Sequence, residues 1–418
     1  MTQEAKPGAA LALVTIGALY ITQGMPMGLA FMALPAMLRT LGYSTEAIGM
    51  VGIVMLPWAL KFLWAPLVDR HRHGRLGPRQ SWIVPAQMLN VILYAVLAVI
   101  AATTAALPVL LAFLMLANLA SATQDIATDG WTIELLRGPD LAWANGLQIG
   151  GFSLGMLIGG SATLLLFDQG GWVPALGLLS VLTALSIIPV LMMPRTKPSA
   201  ESLESFEKPS LKRMLRRKHA LTMLAIAGLF YFANALSGAM IGPFLIDAGL
   251  SLAEVGLVTG VSVAVTLVVS AAAGGALCRR FGAARVAIIS GTVAAFSLAL
   301  WWVLALQPDV TLPSVLGVKF TIGLASGIAY VAFFTIFMQW ASLTQAGTDF
   351  TVLQCTESWT NIAAAIIAGQ LASVLGYAGN FLLASVTGIG IIAWIAFALR
   401  RMSAPKPEIS PSLTGETI

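Results

Sequence analysis

Residues 107–131 read LPVLLAFLMLANLASATQDIATDGW. The first half is apolar without interruption and the second half is small and polar, with Asp125 and Asp129 four residues apart and no basic residue beside them. Asn118, Ser121, Asp125 and Thr128 with Asp129 recur at intervals of three and four, so on a helix they form one polar stripe. Carboxylates are excluded from hydrocarbon unless they face protein or water. The run therefore reads as a membrane helix with one face turned inward.

The rest of the chain supports that setting. It has 418 residues, 58% of them apolar and 10% charged, with a mean hydropathy of +0.87, which is more apolar surface than a soluble core could hide. Twelve apolar runs are read, near 10–38, 46–68, 82–105, 107–130, 141–167, 172–194, 220–246, 252–277, 286–306, 313–340, 350–375 and 380–400. Each is about the 20 residues that an α-helix needs to cross a bilayer. Because the runs are continuous rather than alternating, helices are expected and not a β-barrel. The expected fold is an all-α membrane protein of twelve crossings. The first run extends far past the length of a leader and lacks a small-residue cleavage site, so it reads as a retained span.

Of the 23 Lys and Arg residues, 20 fall on one side of such a bundle if the amino terminus lies inside, which sets both termini in the cytoplasm. Arg39 falls outside, and Lys61 and Lys319 lie within spans. The net charge of +5 follows from this topology and gives no case for nucleic acid as a partner. Cys278 and Cys355 are far apart, and the three histidines sit in connectors, so no cofactor or metal site is expected. With no nucleophile and base together inside the membrane, an enzyme is not expected either.

At an offset of about 207, GYSTEAIG (42–49) aligns with GLSLAEVG (249–256), and GLQ ending at Gln148 falls near VLQ ending at Gln354. This points to two like-oriented six-helix bundles, 1–194 and 220–401, joined by a linker at 195–219 and followed by a tail at 402–418. In the linker, Leu211, Met214 and Leu215 oppose four basic residues, so an amphipathic helix on the inner leaflet is expected. Gly151, Gly155 and Gly159 share one face of the fifth run and allow close backbone approach, either within a bundle or between bundles. Ala364, Ala368 and Ala372 repeat the pattern in the eleventh.

Polar stripes recur in the first run of every group of three: Tyr20, Gln23 and Met27; Asn118, Ser121 and Gln124 with the acids; Phe230, Asn234 and Ser237; Lys319, Ser326 and Tyr330. Equivalent helices with wet faces suggest one central solute cavity between the bundles, and Gln354 joins the list of candidate ligands to the solute. Lys61 lies about 12 Å of helix rise from Asp69, at a depth similar to Asp125, and an unpaired ammonium there costs about 3 kcal/mol or more, so a Lys61 to Asp125 pair is expected.

Glu357 shares a face with Gln354 and Asn361 and has no lysine near it in sequence. A buried carboxyl without a cation can take up and release a proton, whereas a close lysine keeps one ionised, so Glu357 is the better proton carrier. Asp69 and Arg70, in the connector DRHRHGR, read as a latch between helix ends. The matching connector CRRFGAAR has Arg279 where the acid would fall. Asp129 is expected to bond the adjoining loop, and Glu134 to lie in that loop. Pro26 in TQGMPMG removes a backbone donor in mid-span and can open carbonyls there.

The segments QGMPMGL (23–29), LKFLWAPLVDR (60–70) and QDIATDGW (124–131) resemble the branch of the major facilitator superfamily that holds the AmpG-type muropeptide permeases and the acetyl-CoA transporters. The short chain and GTDFTVLQ (347–354) resemble, within that branch, the RhtX/FptX siderophore permeases. The resemblance implies a single-chain, proton-driven importer of a ferric siderophore in the bacterial inner membrane, working by alternating access. Muropeptide or CoA-type uptake, drug export and a non-transporting receptor are the alternatives.

Overall fold

The computed structural model describes residues 9–42, 50–71, 76–103, 106–136, 139–194 and 208–402. Eleven apolar helices follow in order: α1 Ala10–Leu38, α2 Met50–Leu63, α3 Gln80–Ala101, α4 Leu107–Leu135, α5 Asp140–Gly170, α6 Trp172–Met192, α7 Ala220–Asp247, α8 Glu254–Phe281, α9 Ala283–Ala305, α10 Leu312–Trp340 and α11 Ala346–Met402. Ten of them are long and apolar enough to cross a membrane; α2 is shorter.

The difference from the expected twelve arises at two places. α11 runs 57 residues, which at about 1.5 Å each is more than twice a bilayer's thickness, and it is interrupted at Gly376 by non-helical angles of φ 69° and ψ 176°. The eleventh and twelfth runs are thus joined across that glycine. The second run is short because it is irregular. A 3₁₀ segment, Met50–Met55, leads into α-helical Leu56–Leu60, a second 3₁₀ turn at Lys61–Leu63 and a last helix, Ala65–Arg70. Pro57 and Pro66 each remove a backbone donor there.

Helices before residue 195 pack mainly on one another, α1 against α5 and α3 against α4 and α6, and those after residue 210 do likewise, α7 against α11 and α9 against α10. Side chains such as Val99, Leu191, Val374 and Phe397 are exposed on the outside, as lipid-facing residues would be. The offset of 207 recurs in the backbone: Gly42 and Gly249 both take positive φ, 84° and 90°, which favours glycine at the turn into the next helix. Residues 43–49 lie outside the described residues, as do 195–207 and 403–418.

The glycine face of α5 packs on α1. A Cβ on Gly155 would lie 2.0 Å from the Ile21 carbonyl oxygen, and one on Gly159 2.0 Å from that of Met25, so the two backbones touch directly. Past Pro26, α1 continues through a π-helical turn, Leu29–Ala33, which packs on a second one, Ile158–Ala162, in α5.

The two ends of the molecule differ. At the end bearing the basic connectors, called here the basic end, one buried apolar cluster runs across both sets of helices, with Ile16, Leu136 and Leu141 from the first packed with Phe337, Ala346 and Phe350 from the second. Towards the opposite end the cores separate. Leu29, Leu34 and Trp172 belong to one, Phe244, Trp301 and Phe381 to another.

Among the described residues of the linker, a helix spans Leu211–Leu215. Met214 is fully buried in the shared cluster and Leu215 is exposed, so Met214 anchors the segment on the protein.

Candidate functional site

The irregular second segment places Lys61 on a 3₁₀ turn with its side chain buried, 4% exposed. Its ammonium is ion-paired with Asp125 of α4, itself 3% exposed, and donates to Gln354 Oε1 of α11 at 2.6 Å. Trp58 holds the same turn: its indole N–H donates to Asn118 Oδ1 at 2.9 Å, and its ring lies 5.3 Å from the ammonium. Trp359 of α11 donates to the Ala59 carbonyl at 3.1 Å. A charge from the first set of helices is therefore neutralised there and hydrogen-bonded to the second.

The polar stripe of α4 faces the other helices of its own set. Tyr20 donates to Asp129 Oδ1 at 2.7 Å and Gln148 to the same oxygen at 3.2 Å, in place of the expected bond to a loop. Gln23 donates to Thr128 Oγ1 at 3.2 Å and Asn90 to Ser121 Oγ at 3.0 Å. Tyr20, Gln23, Asn118 and Ser121 are all fully buried and tie α1, α2, α3 and α4 together. Gln124 is also buried, and Met27 is half-buried on α1.

A second charged group lies at the basic end. Thr348, at the start of α11, donates its backbone N–H and its hydroxyl to Asp69 Oδ2, each at 2.6 Å. Arg79, just ahead of α3, reaches Asp69 Oδ1 at 2.7 Å and Glu134 Oε1 at 2.7 Å. Arg79 is fully buried and lies over Gly130, where a Cβ would stand 2.5 Å from its Cζ. Burial works against its charge, but the Glu134 and Asp69 carboxylates outweigh that and raise its pKa, keeping it protonated.

Glu134 belongs to the last turn of α4, not to a loop. Arg70 is exposed and takes no part in the Asp69 contacts. Arg217 from the linker donates to Asp349 at 2.6 Å and to the Trp340 carbonyl at 2.5 Å, and so fastens the linker to α10 and α11. Arg279 is exposed, so the matching connector builds no second latch.

In the second set, Glu357 is 6% exposed and accepts from Asn361 Nδ2 at 2.5 Å, Ser358 Oγ at 3.3 Å and Tyr330 at 3.5 Å. Phe230 and Tyr330 belong to an aromatic cluster, with Phe230 4.8 Å from Phe333 and Tyr330 stacked 4.3 Å from Phe334. A cavity of about 310 Å³ opens between α7, α8, α9, α10 and α11. Asn234, Ser237, Lys319 and Ser326 line it, while among the described residues none of α1 or α4 does.

The site residues therefore fall into three places: the Lys61 to Asp125 to Gln354 bridge, the Asp69 and Arg79 group, and the cavity beside Asn361 and Glu357. Sequence reasoning missed Arg79, Glu134, Trp58 and Thr348. Gly130, a glycine inside a helix, is the signal in the sequence that a bulky group, here Arg79, lies close.

A profile of the family described as Acetyl-coenzyme A transporter 1 matches residues 12–110. The chain is 27% identical over 387 residues to the anhydromuropeptide permease of Escherichia coli K12, covering 90% of this chain and 77% of that one. Among solved structures it is similar to the human organic anion transporter MFSD10, with a TM-score of 0.69 and 17% identity over 94% of this chain and 100% of that one. The fucose:proton symporter of Escherichia coli gives a TM-score of 0.68 and 16% identity over 95% and 100%. The chain is accordingly similar in sequence to an anhydromuropeptide permease along most of its length and to the acetyl-coenzyme A transporter profile over residues 12–110, and it shares the fold of these solved transporters.

Proposed function

We propose that the protein is a secondary active transporter of a bacterial inner membrane that moves its solute by alternating access of two six-helix bundles, 1–194 and 220–401. Twelve crossings follow if α2 with Ala65–Arg70 counts as one and α11 as two, divided at Gly376. The distribution of basic residues sets the basic end in the cytoplasm. One observation carries the reading: the contacts between the bundles concentrate at the basic end, where a shared apolar cluster and the Asp69 to Thr348 bonds close the seam, while the cores at the other end are separate. Such a molecule is open outward and poised to load solute from outside.

Relatives favour a muropeptide or coenzyme A-type solute over a ferric siderophore, because the permease similar along nine-tenths of this chain is an anhydromuropeptide permease and the matching profile is that of an acetyl-coenzyme A transporter. Glu357 is the proposed proton carrier, since its hydrogen-bond partners Asn361, Ser358 and Tyr330 are neutral, whereas Asp125 is held by Lys61. Asp69 and Arg79 form the proposed inner latch. The test is uptake of a radiolabelled anhydromuropeptide by protein reconstituted in liposomes, with acid outside. Accumulation above the equilibrium level supports the reading. Absence of uptake, with siderophore-dependent growth lost in a deletion strain, would return the siderophore alternative.

A further inference from the structure

The cavity among α7 to α11 has a chemistry of its own. Lys319 projects from α10 into its wall, and no acid lines that wall among the described residues. Ser237 is 1% exposed, yet its hydroxyl has no hydrogen-bond partner. Asn361 donates Nδ2 to Glu357 at 2.5 Å and leaves its own Oδ1 buried and unpaired. Asn234 accepts from Ser326 at 2.7 Å, which leaves its amide N–H groups to donate. Trp301 supplies an apolar surface. A buried polar atom without a partner is unfavourable, and a cation in hydrocarbon without an anion more so. A ligand that supplies an acceptor for Lys319 and a donor for Asn361 would remove both penalties at once.

We propose that this cavity is a subsite for the acidic, amide-bearing part of the solute, with a carboxylate on Lys319 and an amide N–H on Asn361 Oδ1. The assignment rests on the transporter reading and adds the ligand chemistry. It also connects ligand to coupling group. A donor arriving at Asn361 Oδ1 polarises the amide and strengthens its Nδ2 bond to Glu357, so occupancy of the cavity is felt at the carboxyl.

Equilibrium binding to the purified full chain in lipid nanodiscs tests this, with tritiated N-acetylalanylalanine as the acid probe and its C-terminal amide as the neutral probe. Wild type is expected to bind the acid more tightly. Lys319→Gln should weaken the acid about tenfold or more, as loss of a charge-assisted hydrogen bond does, and leave the neutral probe unchanged. Lys319→Arg should retain most of the preference, which keeps the test valid if Lys319→Gln folds poorly. Equal effects of Lys319→Gln on both probes, or none on either, would overturn the assignment, as would wild type binding neither probe. The transporter reading is tested separately, by distances between the bundles, and does not fall with this one.

Discussion

Thr348 spends both its backbone N–H and its hydroxyl on one oxygen of Asp69, 279 residues earlier, while Arg79 holds the other oxygen. The start of α11 is thereby fixed to the end of the second segment, and a fully buried guanidinium is shared between Asp69 and Glu134.

Asp69→Asn should weaken that latch without changing its size. The charge-assisted bonds are worth about 1.5–3 kcal/mol each, so the basic end should open more often. Labelling by maleimide of Ala346→Cys, a fully buried position beside the latch, should speed up at least severalfold in the Asp69→Asn background. Unchanged labelling would mean that the apolar cluster alone closes that end.

Breaking the Lys61 to Asp125 pair on one side leaves a buried charge alone, which costs about 3–5 kcal/mol. Lys61→Met and Asp125→Asn should each lower the unfolding temperature, and the double variant should recover part of the loss. If the double variant is as unstable as the sum of the two, the pair is not the unit that matters.

Glu357→Gln keeps the shape and the acceptor towards Asn361 but cannot release a proton. Uptake by this variant should lose its dependence on an acid exterior, while solute exchange with no gradient persists. A wild-type pH profile in Glu357→Gln would remove Glu357 from coupling.

Gly155→Ala puts a methyl 2.0 Å from the Ile21 carbonyl oxygen and must push α1 off α5. It should cost about 2 kcal/mol or more, in the range of overpacked cores, and Gly159→Ala should do the same. Gly369→Ala, where a Cβ meets nothing within 4 Å, should be neutral or slightly stabilising. Similar unfolding temperatures for all three would contradict the close α1 to α5 contact.

Much of the architecture was legible because hydrocarbon imposes its own rules on length and polarity. Run lengths located the helices, and the shared depth of Lys61 and Asp125 brought the two together on paper as they are in the structure. What a one-dimensional reading could not supply is which neighbour a polar face meets. The stripe of Tyr20, Gln23, Asn118 and Ser121 reads the same whether it faces solute or an adjoining helix, and here it faces helices. Arg79 reads as one more basic connector residue, since nothing in its own sequence shows that Asp69 and Glu134 converge on it. The second run, expected at 46–68, is present, and what escaped is its irregularity, because two prolines and two 3₁₀ turns break a stretch that is apolar for most of its length.

Alternating access is tested most directly by the distances across the two ends of the bundle. Spin labels at Leu41→Cys and Ile246→Cys, both exposed at the outer end, and at Arg70→Cys and Arg279→Cys, both exposed at the basic end, would report them in lipid. With solute and an acid exterior, the account predicts that the outer distance shortens while the basic-end distance lengthens. Two distances that stay fixed, or that change in the same direction, would contradict it.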